Sequence, residues 1–123
     1  MPSKIQIHTD RAPKPVGPYS QGIIYGDQVF TVQIGLDPAM DKIVGPDIES
    51  QTLQNIAAIL EAGGTSLAGA LKVTVFLANL DDFDRMNRVY AGFFPTDPPA
   101  RATIEAKRLP LDVLVEIECI AGR

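Results

Sequence analysis

The run Val113-Leu114-Val115-Glu116-Ile117-Glu118-Cys119-Ile120-Ala121 near the C-terminus decides how the chain is read. Side chains alternate across a strand, so Val113, Val115, Ile117 and Cys119 point one way, and Leu114, Glu116, Glu118 and Ile120 the other. The first set is wholly apolar and requires a covering layer. The second mixes carboxylates with Leu and Ile. Upstream, Arg101 to Lys107 reads as another strand, separated from the last by Leu109-Pro110-Leu111-Asp112. Antiparallel pairing across that connection sets Thr103 opposite Glu116 and Arg101 opposite Glu118, all on one sheet face. The segment Leu71 to Leu77 is β-branched and apolar at most positions on both faces, hence a third strand.

The remaining elements follow from local signals. Lys4 to His8 alternates, with Ile5 and Ile7 on one side. Arg11 to Pro18 is a Pro- and Gly-containing loop. Ile23–Tyr25 and Val29–Ile34 flank Gly26-Asp27 and predict a hairpin. Asp37 to Pro46 is a second connection. A helix is expected over Ile48–Ala62, with Asp47 as N-cap, Leu53, Ile56 and Leu60 on one face, and Gly63-Gly64 as its stop. A second helix is expected over about Asp81 to Phe94, with Phe83, Met86, Tyr90 and Phe93 as its apolar stripe. Asp81, Asp82 and Asp84 place negative charge at its N-terminus. Pro95 to Pro99 ends it. The order β-β-β-α-β-α-β-β predicts an α+β domain over residues 1–123, a sheet with both helices on one face. Two helices cover one face only, and an identical subunit is the simplest cover for the other.

Composition excludes several classes. The chain has 123 residues, 46% of them hydrophobic and 21% charged, as an ordinary globular domain does. One Cys and one His leave neither a disulfide nor a ready transition-metal cage. The net charge of −4 disfavours non-specific nucleic-acid binding, which rests on phosphate neutralisation. No apolar run is long enough for a membrane span, and the N-terminus lacks the apolar block of a signal peptide. A cytoplasmic location is expected. No Gly-rich phosphate loop or Gly-x-Ser-x-Gly elbow occurs, and Cys119 has no His near it. Arg101 therefore has two readings. It is an ion-pair partner of Glu118 or Glu116, or it is a fork that binds a carboxylate through two parallel hydrogen bonds.

Gly17-Pro18-Tyr19-Ser20-Gln21, Gln33-Ile34-Gly35-Leu36-Asp37-Pro38, Pro99-Ala100-Arg101-Ala102-Thr103 and Val115-Glu116-Ile117-Glu118 occur in this order along almost the whole chain. In these segments the sequence resembles the RidA/YjgF reactive-intermediate deaminases. The resemblance implies a chorismate-mutase-like α+β fold, assembled as a homotrimer with sites in clefts between subunits. It implies hydrolysis of 2-imino acids to 2-keto acids and ammonia, with no cofactor and no metal. In this likeness Arg101 binds the substrate carboxylate and Glu116 orients or activates water. Tyr19 and Thr103 line the pocket, and Phe83 and Asn87 come from the adjacent subunit. Where many members read Thr-Ser-Gly-Gln-Ile, this chain has Thr31-Val32-Gln33-Ile34, one residue shorter, and a lost residue there removes a bulge. Two rival functions stand beside this one. The first is a trimer that binds small carboxylates, or acts as a holdase, without turnover. The second, taken from descriptions of some members, is a ribonuclease or translation inhibitor, which the acidic balance and single His oppose.

Overall fold

The computed structural model describes residues 2–41 and 47–123. Its six strands are β1 (Lys4–Ile7), β2 (Gly22–Tyr25), β3 (Gln28–Ile34), β4 (Ala70–Leu77), β5 (Ala100–Glu105) and β6 (Val115–Gly122). They form one sheet in the order β1-β2-β3-β6-β4-β5. Pairing is antiparallel except between β4 and β5, which run parallel, so the sheet is mixed. Helices α1 (Asp47–Ala62) and α2 (Phe83–Phe93) complete the α+β fold. Neither is long and apolar enough to cross a membrane.

Both helices pack on the face that carries Val115, Ile117, Cys119 and Ala121, all buried. Leu53, Ile56, Ile59 and Leu60 of α1 meet them there, with Met86 and Tyr90 of α2. Burying each large aliphatic side chain contributes about 1.5–3 kcal/mol, an upper figure because unfolded chains are partly compact. Gly64, at φ +85°, ends α1, and the Thr65 amide donates to Leu60 O at 3.0 Å. Only a residue tolerant of the left-handed region closes the helix in this way. Gly26, at φ +60°, makes the β2–β3 turn for the same reason. A short 3-10 turn, Leu80–Asp82, precedes α2 where the sequence predicts helix from Asp81. The expected N-cap side chain of Asp47, and residues 42–46 of the second connection, lie outside the described residues.

The opposite face has no helix over it. Phe30, Val32 and Ile104 lie there, 37%, 42% and 46% exposed, beside Glu116, Glu118 and Ile120. Leu114, expected on this face, precedes β6 and packs on the helix side.

The expected pairing of the last two strands is overturned. β5 does not pair with β6, because β4 lies between them. Val73, Val75 and Leu77 of β4 are buried under the helices, and Thr74 and Phe76 are half-buried on the other face. A strand apolar on both sides takes an interior slot. β5, with no buried residue, takes the edge. The connection from β5 to β6 is pinned across the end of β4. The Ala106 amide donates to Leu77 O at 2.8 Å, and the Ala78 amide to Leu114 O at 2.9 Å. Leu109 and Val113 anchor it in a small second core with Ile34 and Leu36.

Candidate active site

Register decides which candidate residues meet. Arg101, Thr103 and Glu105 of β5 stand beside Val73, Val75 and Leu77 of β4, so they share the helix-covered face. Glu116 and Glu118 stand beside Phe76 and Thr74, on the open face. The expectation that Arg101, Thr103 and Glu116 share one face is therefore wrong within a single chain. The parallel neighbour β4, not β6, sets the orientation of β5. The ion-pair reading of Arg101 fails for the same reason, since the sheet separates it from both glutamates. Among the described residues no carboxylate lies within ion-pair distance of Arg101.

Neutral groups hold Arg101 instead. Its Nη2 donates to Asn87 Oδ1 at 2.6 Å. Its guanidinium carbon sits 4.6 Å from the centroid of the Tyr90 ring and 5.9 Å from that of Phe83. Phe83, Asn87 and Tyr90 recur at helical spacing, so α2 presents all three on one side. Asn87 and Phe83 thus meet Arg101 within the same protomer, which corrects the expectation that an adjacent subunit brings them to it. The half-buried Thr103 lies two residues along the same face, and its buried hydroxyl has no hydrogen-bond partner. Tyr90 is the residue that sequence reasoning missed. Its place in the apolar stripe hid a second role, and the signal was its i+3 spacing from Asn87.

Tyr19 and Glu116 lie together elsewhere. They border a groove of about 380 Å³ on the open face, with Lys14, Val16, Val32 and Pro110 also on its walls. Gln21 shapes this rim. Its buried amide donates to Thr9 O and Pro13 O, both at 2.9 Å, and accepts from the Thr9 amide at 2.8 Å. Thr31 adds a hydroxyl bond to Gln21 O at 2.7 Å. These bonds fold the Gly17-to-Gln21 motif over the sheet and expose Tyr19, whose hydroxyl accepts from the Val16 amide at 3.1 Å. On the far side Asn55 donates to Leu36 O at 2.7 Å and fixes the turn after β3. β3 itself pairs with β6 in unbroken register from Gln28 to Ile34, with no bulge at Thr31-Val32-Gln33.

Glu116 occupies an apolar row, between Ile34 on β3 and Phe76 on β4. Burial there raises its pKa above the ordinary carboxylate value, and the neighbouring Glu118 charge raises it further. A carboxyl whose pKa is raised by burial holds its proton more firmly than a solvated one. Two clusters of polar groups thus lie on opposite sheet faces. One is a guanidinium with no counter-ion among the described residues. The other is a groove bordered by a half-buried carboxyl.

Comparison with known proteins agrees with this architecture. The family model described as Endoribonuclease L-PSP matches residues 9–122. A RutC family protein of Pyrococcus horikoshii is 53% identical over 119 residues, covering 94% of each chain. Reactive Intermediate Deaminase A, chloroplastic, of Arabidopsis thaliana is 42% identical over 119 residues, covering 94% of this chain and 64% of its own. The crystal structure of RidA from an Antarctic Psychrobacter superposes with a TM-score of 0.94 at 38% identity, covering 97% of this chain and 99% of that one.

Proposed function

This chain belongs to the RidA/YjgF family of reactive-intermediate deaminases, and from that premise we propose that it hydrolyses 2-imino acids to 2-keto acids and ammonia. The observation that carries the proposal is Arg101, a half-buried guanidinium that among the described residues meets only neutral groups, with Asn87 Oδ1 at 2.6 Å. A half-buried cation with no counter-ion beside it is poised for an anionic ligand, and its planar fork matches a carboxylate. The imino carbon next to that carboxylate is already electrophilic, so the protein has to position the acid, a water and a proton acceptor.

In the proposed reaction Arg101 clamps the carboxylate, and Thr103 and Tyr19 border the substrate. Glu116 accepts a proton from water as it adds to the iminium carbon; a C–O bond forms, the C=N π pair moves to nitrogen, and a carbinolamine results. Glu116 returns that proton to nitrogen and then takes the carbinolamine hydroxyl proton as C=O forms and the C–N bond breaks, so the keto acid and ammonia depart and Glu116 gives its proton to solvent. Arg101 and Glu116 lie on opposite faces of one sheet, so a complete site needs the Arg101 edge of one subunit against the groove of another. Two unlike patches in contact make a heterologous interface, which closes into a ring, and three subunits are proposed. Phe30, Val32 and Ile104, exposed on the face without helices, support burial against a second copy.

A second reading, carboxylate binding without turnover, is favoured by one observation. Val32 is 42% exposed and forms part of the groove wall, so the groove presents an apolar side chain beside Glu116.

The test generates 2-iminobutanoate in situ with a threonine dehydratase and follows its loss. Wild type accelerates the loss and Arg101→Ala does not. Acceleration by Arg101→Ala equal to wild type sinks the assignment. Glu116→Gln that binds product but does not accelerate hydrolysis supports the proton role, and a fully active Glu116→Gln removes it. Mixing inactive Arg101→Ala and Glu116→Gln chains and reassembling them restores roughly a quarter of the activity, because random mixing makes that share of interfaces intact. No recovery on mixing refutes the shared site.

A further inference from the structure

Arg101 has four side-chain torsions, and one hydrogen bond to Asn87 cannot fix them all. A second constraint is needed to hold the fork in one pose. Two rings lie near it, and they are unequal. Phe83 is 39% exposed and its centroid is 5.9 Å away. Tyr90 is only 7% exposed and its centroid is 4.6 Å away. Cation–π attraction strengthens when the pair is desolvated, so Tyr90 is the stronger platform. Its own ring is fixed in turn by Phe94, with centroids 4.5 Å apart and planes tilted by 33°.

The hydroxyl of Tyr90 adds nothing to this grip. It is buried and has no hydrogen-bond partner. Burial pushes its pKa up to about 12, so it stays neutral. An orphaned hydroxyl costs stability, and the aromatic face is what the residue supplies. Asn87 takes one edge of the guanidinium and Tyr90 one face, and the other N–H groups of the fork have no partner among the described residues.

We propose that Tyr90 is a positioning residue, whose ring, and not its hydroxyl, holds the Arg101 guanidinium in the pose that receives a carboxylate. The inference rests on the reading of Arg101 as the substrate-carboxylate clamp, and goes beyond it by naming what sets the clamp.

The experiment titrates 2-ketobutanoate, the stable carboxylate product, into the full-length protein by calorimetry. Tyr90→Phe keeps the ring and binds within about twofold of wild type, whereas Tyr90→Leu weakens binding about tenfold, the weight of a partly desolvated cation–π contact. Equal affinities for Tyr90→Leu and wild type overturn the proposal. So does a loss in Tyr90→Phe as large as that in Tyr90→Leu, which would assign the effect to the hydroxyl. In the imine assay Tyr90→Leu raises KM with kcat changed less than about threefold, because carboxylate binding is shared by ground and transition states. A general loss of packing does not produce that split or the rescue by Phe. Should Tyr90→Leu fail to fold, wild type and Tyr90→Phe decide the matter by the Arg101 Nε–Hε resonance, assigned by its loss in Arg101→Lys. Ring-current displacement in both proteins supports the platform, and a solvent-exchanging, undisplaced resonance refutes it. Wild type that binds 2-ketobutanoate through Tyr90 yet leaves the imine untouched overturns the deaminase reading alone. Wild type that hydrolyses the imine with KM unchanged in Tyr90→Leu overturns the positioning role alone.

Discussion

Replacing Arg85 by methionine leaves the Glu49 carboxylate buried with no cation beside it among the described residues. Glu49, in the first turn of α1, is 0% exposed, and its Oε1 accepts from Arg85 Nε at 2.8 Å. Its Oε2 is buried without a partner. Arg85, on α2, retains 29% side-chain exposure and also lies 3.4 Å from Asp82 Oδ2. Removing one member of a buried pair costs about 3–5 kcal/mol, because the remaining charge has lost both water and partner. Residual solvent at Arg85 places Arg85→Met at the lower end, about 3 kcal/mol. For a chain of this length each kcal/mol lowers Tm by about 4 °C, so the expected drop is about 12 °C. Urea unfolding and scanning calorimetry at neutral pH measure it. The decisive arm is Glu49→Met combined with Arg85→Met. With no charge left to strand, the double variant recovers most of the loss, since apolar residues of similar volume replace a buried pair at little cost. A double variant no more stable than Arg85→Met refutes the reasoning, and so does a single-variant loss below about 1 kcal/mol.

Gly35→Ala drives a Cβ into Ile48 Cδ1 and sets it 3.3 Å from Val115 O, so unfolding by urea should show a loss of about 1–3 kcal/mol from overpacking. Glu116 has a folded pKa above its ordinary value, so the native state binds more protons than the unfolded state between those two values. Stability therefore falls as pH rises through that window, and Glu116→Gln should gain on wild type above it while the gap closes in acid. An equal gap at both ends, by urea titration, contradicts the burial account. Burial pushes the Cys119 thiol up to about 11, so the native protein at pH 8 should resist an aromatic disulfide reagent and the unfolded chain react fully. Rapid native labelling overturns that expectation.

Local structure was legible where one short segment carries its own signal. The α1 face of Leu53, Ile56 and Leu60, its Gly63-Gly64 stop and the Gly26-Asp27 hairpin all follow from periodicity and turn chemistry. Ile5 and Ile7 share one side of β1, yet Ile7 is buried while Ile5, nearer the end of an edge strand, is 51% exposed. The partner of β5 was not legible. Alternation sorts Arg101 from Ala102 and Glu116 from Ile117 within each strand, but it carries no information on which strand lies alongside. The choice between β4 and β6 depends on a comparison across distant segments, namely which strand is apolar on both faces. β4 showed that property in its sequence, and the interior slot follows from it. The short Leu109–Asp112 connection suggested a hairpin instead, and its anchoring in a second core is a tertiary effect. Tyr90 was hidden for another reason. An aromatic residue at helical spacing reads as core, and here it is core and also the floor beneath a cation.

The parallel pairing of β4 and β5, with α2 as the crossover between them, concentrates one cluster in a short stretch of sequence. Arg101, Thr103, Asn87, Tyr90 and Phe83 all fall within residues 70–105, one contiguous β-α-β unit. Tyr19, Val32 and Glu116 come from the other parts of the chain. The surround of the Arg101 guanidinium is thus specified within one continuous stretch, while the groove walls are assembled from segments far apart in sequence. Substitutions in the β2–β3 surround or the C-terminal strand can therefore reshape the groove without touching the contacts that hold Arg101.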